Sequence, residues 1–150
     1  MDLEGGCLCG AVRYRYSGEV FRHAVCHCRD CQRVSGSAFH CGVVVEKRGF
    51  TVTRGEMRVH RQVGDSGRWI DRSFCAECGS HILNELELRG PEFAVIKTGT
   101  LDDPSLVPPP DFEIFVKTQM PWVGVTGQTT RLDEMGPKLP QQAGVTSPSA

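Results

Sequence analysis

An all-β fold of antiparallel strands with little helix is what this sequence predicts, on three observations. Apolar and polar residues alternate one by one along segment after segment, as they do in strands that bury one face. Glycine-containing turns separate these segments at short intervals. Helical periodicity is scarce, and the proline-rich "LDDPSLVPPPD" reads as a loop, since proline cannot serve a central strand.

Each element follows in chain order. "CGAVRYRY" places Val12, Tyr14 and Tyr16 on one face and Arg13 and Arg15 on the other. "EVFRHAV" forms the next strand and leads into a cysteine-rich segment. A short helical turn after Cys31 is expected to stop at Gly36. "AFHCGVVVEK" aligns Phe39, Cys41, Val43 and Val45, and "FTVTRG" follows. "EMRVHRQV" and "RWIDRSF" are joined through "GDSG", a good hairpin turn. "HILNELEL", "FAVIKTG" and "FEIFVKT" complete the set. Residues 1–137 read as one domain. Residues 138–150, "KLPQQAGVTSPSA", lack periodicity and large apolar side chains and read as a disordered tail.

Composition narrows the function classes. The 150 residues are 39% hydrophobic and 23% charged, ordinary values for a globular domain able to bury a core. Seventeen basic residues against 18 acidic ones, scattered along the chain, argue against a nucleic-acid binder or a membrane-surface binder. The start "MDLEGGCLCG" has neither the basic region nor the apolar run of a signal peptide, and no stretch is apolar enough to span a membrane. A cytoplasmic location is the expectation.

Eight cysteines stand out, at 7, 9, 26, 28, 31, 41, 75 and 78. Disulfides would need an oxidising compartment, whereas the close spacings suit metal. Cys7 and Cys9, in extended backbone, would send both side chains to one face. Cys75 and Cys78 have the spacing of a zinc knuckle, with Gly79 allowing the backbone to fold beneath the ion. Together these four make a complete tetrahedral thiolate set, a structural zinc site. It would pin the first strand to the far end of a hairpin.

Cys26, Cys28 and Cys31 remain, with Cys41 as the one other thiol. Cys41 lies on an apolar strand face, where cysteine commonly serves as a small hydrophobe, although it could also complete the set. His23, His27 and His40 are the other candidates; His27 alternates with its cysteine neighbours and would face away from a shared ion. Three protein ligands plus a place for substrate is the catalytic pattern for zinc. Three thiolates weaken the ion as a Lewis acid, so the site suits an incoming thiol rather than the making of hydroxide. A thiolate held there could attack a small aldehyde, or the reverse step could cleave a carbon–sulfur bond. Two zinc ions per chain are therefore expected.

"GGCLCGAVRY", "CHCRDCQRVSGSAF", "RSFCAECGS" and "IFVKTQMPW" occur in the order found in one family. The chain resembles the glutathione-dependent formaldehyde-activating family, which includes centromere protein V-like members. The resemblance implies a β-tent-like fold with two zinc sites, structural at Cys7, Cys9, Cys75 and Cys78 and catalytic at Cys26, Cys28 and Cys31. It further implies carbon–sulfur lyase activity on S-hydroxymethylglutathione, with glutathione and formaldehyde as partners. The alternative is a non-catalytic, zinc-stabilised protein-interaction module. Cys41 and His81 depart from the family's pattern. Glutathione carries two carboxylates, for which Arg29, Arg33, Arg61 and Arg72 are candidates. Arg72, just before "SFC", could instead support the thiolates. Ser35, Gly36 and Ser37 could offer backbone N–H groups near the metal. Trp122 reads as a core or rim anchor, and Trp69 as a core residue that could instead line a pocket.

Overall fold

In the computed structural model, which describes residues 1–125 and 127–135, the chain forms two β-sheets around a shared core. The expected tail, 138–150, lies outside the described residues. The strands are β1 (Asp2–Gly6), β2 (Arg13–Ser17), β3 (Val20–Cys26), β4 (His40–Glu46), β5 (Phe50–Arg54), β6 (Met57–Val63), β7 (Trp69–Cys75), β8 (His81–Leu86), β9 (Phe93–Lys97), β10 (Phe112–Ile114) and β11 (Thr130–Leu132). One α-helix, α1 (Arg29–Ser35), is found among the described residues. The small sheet runs β1-β2-β5; the large one runs β11-β10-β3-β4-β9-β8-β7-β6.

The all-β expectation holds, and the alternation explains why. Val12, Tyr14 and Tyr16 are each 1% exposed and pack with Leu3 against Val43, Val45, Ile82 and Ile96 of the large sheet. Burying such apolar surface is the main force joining the sheets. Tyr14 also reaches across with its hydroxyl, 2.8 Å from Thr100 Oγ1. Val44 is buried too, because β4 lies between β3 and β9 and both of its faces are covered.

Two local readings change, and one strand is added to them. β1 pairs along its whole length with β2, although "DLEGG" has little strand propensity; tertiary pairing overrides it. α1 begins before Cys31, at Arg29, with Cys28 as its N-cap; the Cys28 sulfur accepts from the Cys31 N–H at 3.3 Å. It ends as expected at Gly36, whose φ of 61° closes the helix in the left-handed region. "FEIFVKT" is a strand for three residues only. Phe115 turns to φ 56°, and Val116–Thr118 form a short 3-10 turn instead. β10 pairs parallel to β3 and β11, the exception in a mostly antiparallel set.

Candidate metal centres

Cys7, Cys9, Cys75 and Cys78 converge, all four sulfurs lying within 4.8 Å of one another. Cys7 and Cys9 are 3.5 Å apart and Cys9 and Cys75 are 3.9 Å apart. These separations fit the edges of a tetrahedral thiolate set around one ion, since zinc–sulfur bonds of about 2.3 Å require sulfurs less than 4 Å or so apart. The route differs from the sequence reading at the first pair. Cys7 and Cys9 sit in a turn closed by Gly10 N–H on Cys7 O at 3.0 Å, not in extended backbone. At the second pair, Gly79 donates to Cys75 O at 2.9 Å with φ 73°, the fold-under that the knuckle spacing requires. Val12 N–H points at the Cys7 sulfur from 3.2 Å, and the Ser80 hydroxyl lies 3.2 Å from that of Cys78. Such donors hold thiolates in place for a metal. Ser80 Oγ also accepts from Leu8 N–H at 3.0 Å, tying one knuckle to the other.

The second group forms where β3 ends and α1 begins. Cys26 and Cys31 are both 6% exposed, and Cys28 is less buried. The three thiols interact with one another strongly enough to divide their acidities. Hydrogen bonding from Cys26, then Cys31, lowers Cys28 to about 2; Cys28 in turn helps push Cys26 up to about 12. Cys31 is pushed up, by Cys26 first and then by Cys28. Cys28 is thus the most acidic of the three, and a metal ion would draw off the thiol protons.

The group whose ligand atoms all lie within 4.8 Å of one another here is Cys26, Cys31 and His40; Cys28 is not part of it, and His40 stands where the sequence reading placed Cys28. The β3–β4 register places it there, because Cys26 and His40 are cross-strand partners. Cys41 takes another direction: its sulfur lies 2.9 Å from His23 Nε2. His23 donates from Nδ1 to Pro108 O at 2.6 Å, so Nε2 is free to accept. His27 meets Glu113 at 3.0 Å and is 0% exposed, a buried group rather than a surface one. Its carbonyl is clamped by Gln32 Nε2 at 2.7 Å and Thr118 Oγ1 at 3.0 Å, which fixes the cysteine loop from behind.

A row of polar groups continues from His40 along the same sheet face. The register Gly42–Lys97, Asn84–Val95 and Arg72–Asn84 puts Lys97, Asn84 and Arg72 on that face. A β-bulge opposite Ser73 and Phe74 turns His81 onto it as well. Lys97 Nζ lies 3.2 Å from His40 Nδ1 and 3.3 Å from Nε2. The Asn84 amide fits between its neighbours when its nitrogen donates to His81 Nε2 (2.6 Å) and its oxygen accepts from Lys97 (2.8 Å). Burial, and then the Lys97 charge, lower His40 to about 3 and His81 to about 4. Burial lowers Lys97 to about 8, with the neighbouring Cys31 and Cys26 thiols acting in the opposite direction. Lys97 was not singled out from the sequence. The signal lay in "FAVIK", where alternation from Phe93 and Val95 leads to a buried lysine.

The arginine candidates separate. Arg61 forms a two-pronged pair with Asp71, both bonds 2.7 Å, and lies over the half-buried Trp69 ring. Arg72 is 4% exposed within the polar row, and its Nε and Nη1 find no protein partner. Arg29 and Arg33 stand on the solvent side of α1. Gly36 and Ser37 spend their N–H groups closing that helix, on Arg33 O and Gln32 O. Trp122 is 76% exposed, so it is no core anchor.

Comparison with known proteins adds a family. The family described as glutathione-dependent formaldehyde-activating enzyme matches residues 2–118. A protein of Phaeosphaeria nodorum named provisionally as such an enzyme is 28% identical over 116 residues, 75% of this chain and 58% of that one. One from Aspergillus flavus with the same provisional name is 29% identical over 87 residues, 57% of this chain and 44% of that one. The chain therefore matches about half the length of these curated relatives. A crystal structure of a Rhodobacter sphaeroides protein shares the fold, with a TM-score of 0.54 at 22% identity over 67% of this chain and 88% of that one.

Proposed function

The chain belongs to the glutathione-dependent formaldehyde-activating enzyme family, and from that premise we propose that it forms or cleaves a thiol–aldehyde adduct such as S-hydroxymethylglutathione. The observation that carries the reading is the division of the cysteines. Four gather in one complete set; of the other thiols, Cys26 and Cys31 lie grouped with His40, and the less buried Cys28 interacts with both from beside them. We assign zinc to both groups. At the second set zinc would hold an incoming thiol as a nucleophilic thiolate. Around it, the chain's own groups have definite tasks. Lys97, buried beside the thiols, offsets their negative charge. Gln32 and Thr118 hold the loop that presents the cysteines. His40 and His81, kept neutral, can accept or donate hydrogen bonds without adding charge. The activity would be that of a carbon–sulfur lyase. The cysteines are all free, which suits the reducing cytoplasm.

A second reading rests on His40. If it joined Cys26, Cys28 and Cys31 on the metal, the four-ligand set would be closed and the protein a zinc-stabilised interaction module. Exchange NMR on a mixture of formaldehyde and glutathione separates the two. With both metals loaded, the enzyme reading expects hemithioacetal exchange faster than the spontaneous rate. An unchanged rate would favour the module.

A further inference from the structure

We propose that Arg72 and Lys97 form a binding site for one small free oxoanion, a carboxylate of formate's size, on the polar sheet face beside the cysteines. The two cations stand on the same face of the large sheet, on β7 and β9, with Asn84 of β8 between them. Both are sealed in, at 4% and 6% exposure. They are near enough to feel each other, since Lys97 is lowered by burial first and by the Arg72 charge as well.

A buried cation is costly unless a negative charge meets it. Among the described residues no carboxylate pairs with Arg72 or Lys97. Asp71, next to Arg72 in the chain, faces the other way and is held by Arg61 at 2.7 Å. Asp30, at the start of α1, is held by Gln62 of β6 at 2.9 Å. Lys97 meets neutral groups, His40 at 3.2 Å and the Asn84 amide oxygen at 2.8 Å. Arg72 is the stronger sign. Its Nε and Nη1 are enclosed and touch no acceptor of the protein, whereas buried donors are almost always satisfied. Water would satisfy these donors but leave the two charges unmatched; an oxoanion does both, and a guanidinium is well suited to hold it. Burial of both cations limits the anion to a few atoms. Its charge follows from the neighbouring metal group. Zinc on three thiolates would carry a formal charge of about −1 and the two cations about +2, so one negative charge restores neutrality. An incoming thiolate would supply that same charge, so anion and thiol should exclude one another. This last step rests on the thiol reading above; the anion site itself does not.

The experiment uses the full chain with metal bound and sodium formate as the probe, with binding followed by calorimetry and by the NMR signal of labelled formate. The proposal expects one saturable site per chain in the wild-type protein. Binding should weaken about tenfold or more in Arg72→Gln and largely return in Arg72→Lys, which keeps the charge. No saturable binding to the wild-type chain overturns the proposal, whatever the variants do. Equal binding to a folded, metal-loaded Arg72→Gln overturns it too, because the metal alone would then hold the anion. A second arm adds 2-mercaptoethanol, a thiol without a carboxylate, to the cobalt-substituted protein, and formate should be displaced. If formate binds through Arg72 while this thiol neither displaces it nor changes the cobalt spectrum, the thiol reading falls and the anion site stands. If the thiol changes the spectrum but formate never binds, the anion site falls alone.

Discussion

Among the three thiols, Cys28 is the one whose acidity is raised and the one less buried, while Cys26 and Cys31 are sealed in. Cys28 also caps α1, and serine is an even better N-cap, so Cys28→Ser should keep its circular dichroism spectrum while losing thiol binding. Cys78→Ser should act on folding instead. It removes one corner of the complete set and should cost on the order of 5 kcal/mol, read as a lower urea midpoint. Lys97 gives a third test. Replacing it with methionine keeps the packing volume but removes the buried charge beside the thiols; metal affinity at the second set should drop about 10- to 100-fold in a chelator competition. At this scale the cysteines were legible because their chemistry is written in spacing. His40 and Lys97 were not, because each reaches the site through cross-strand register, which no single segment encodes.

β10 shows how a short element can matter out of proportion to its length. Its three residues lie against β3 beside Cys26, and Glu113 within it faces His27, Thr129 and Arg131. At 1% exposure this carboxylate is buried among partners that would be left unpaired without it. Glu113→Ala should therefore destabilise the protein by about 3–5 kcal/mol in urea unfolding, and loosen the cysteine loop with it. The sequence announced "FEIFVKT" as a strand on alternation alone. It could not announce the turn at Phe115, because a positive φ at a phenylalanine is imposed by surroundings, not by preference. The same limit hid β1, which exists because β2 offers it a partner. By contrast, Gly36 and Gly79 were readable, since each meets a local backbone need that glycine alone satisfies cheaply.

On the scale of the molecule, the first cysteine set links the two sheets. Cys7 and Cys9 follow β1 of the small sheet, and Cys75 and Cys78 end and follow β7 of the large one. The core between the sheets adds Tyr14, whose hydroxyl crosses to Thr100; Tyr14→Phe should cost about 1 kcal/mol in the same urea assay. The all-β class was legible because alternation and turn residues recur throughout. The mixed eight-stranded order was not, since strand neighbours far apart in sequence follow from packing. The central claim is that the three-thiol set accepts a fourth thiol from solution. It is tested most directly by replacing the metal with cobalt, titrating glutathione, and following the thiolate-to-cobalt charge-transfer absorption. The account predicts a saturable gain of one sulfur ligand per chain, absent in Cys28→Ser. A fully cobalt-loaded protein whose spectrum does not change with glutathione would contradict it.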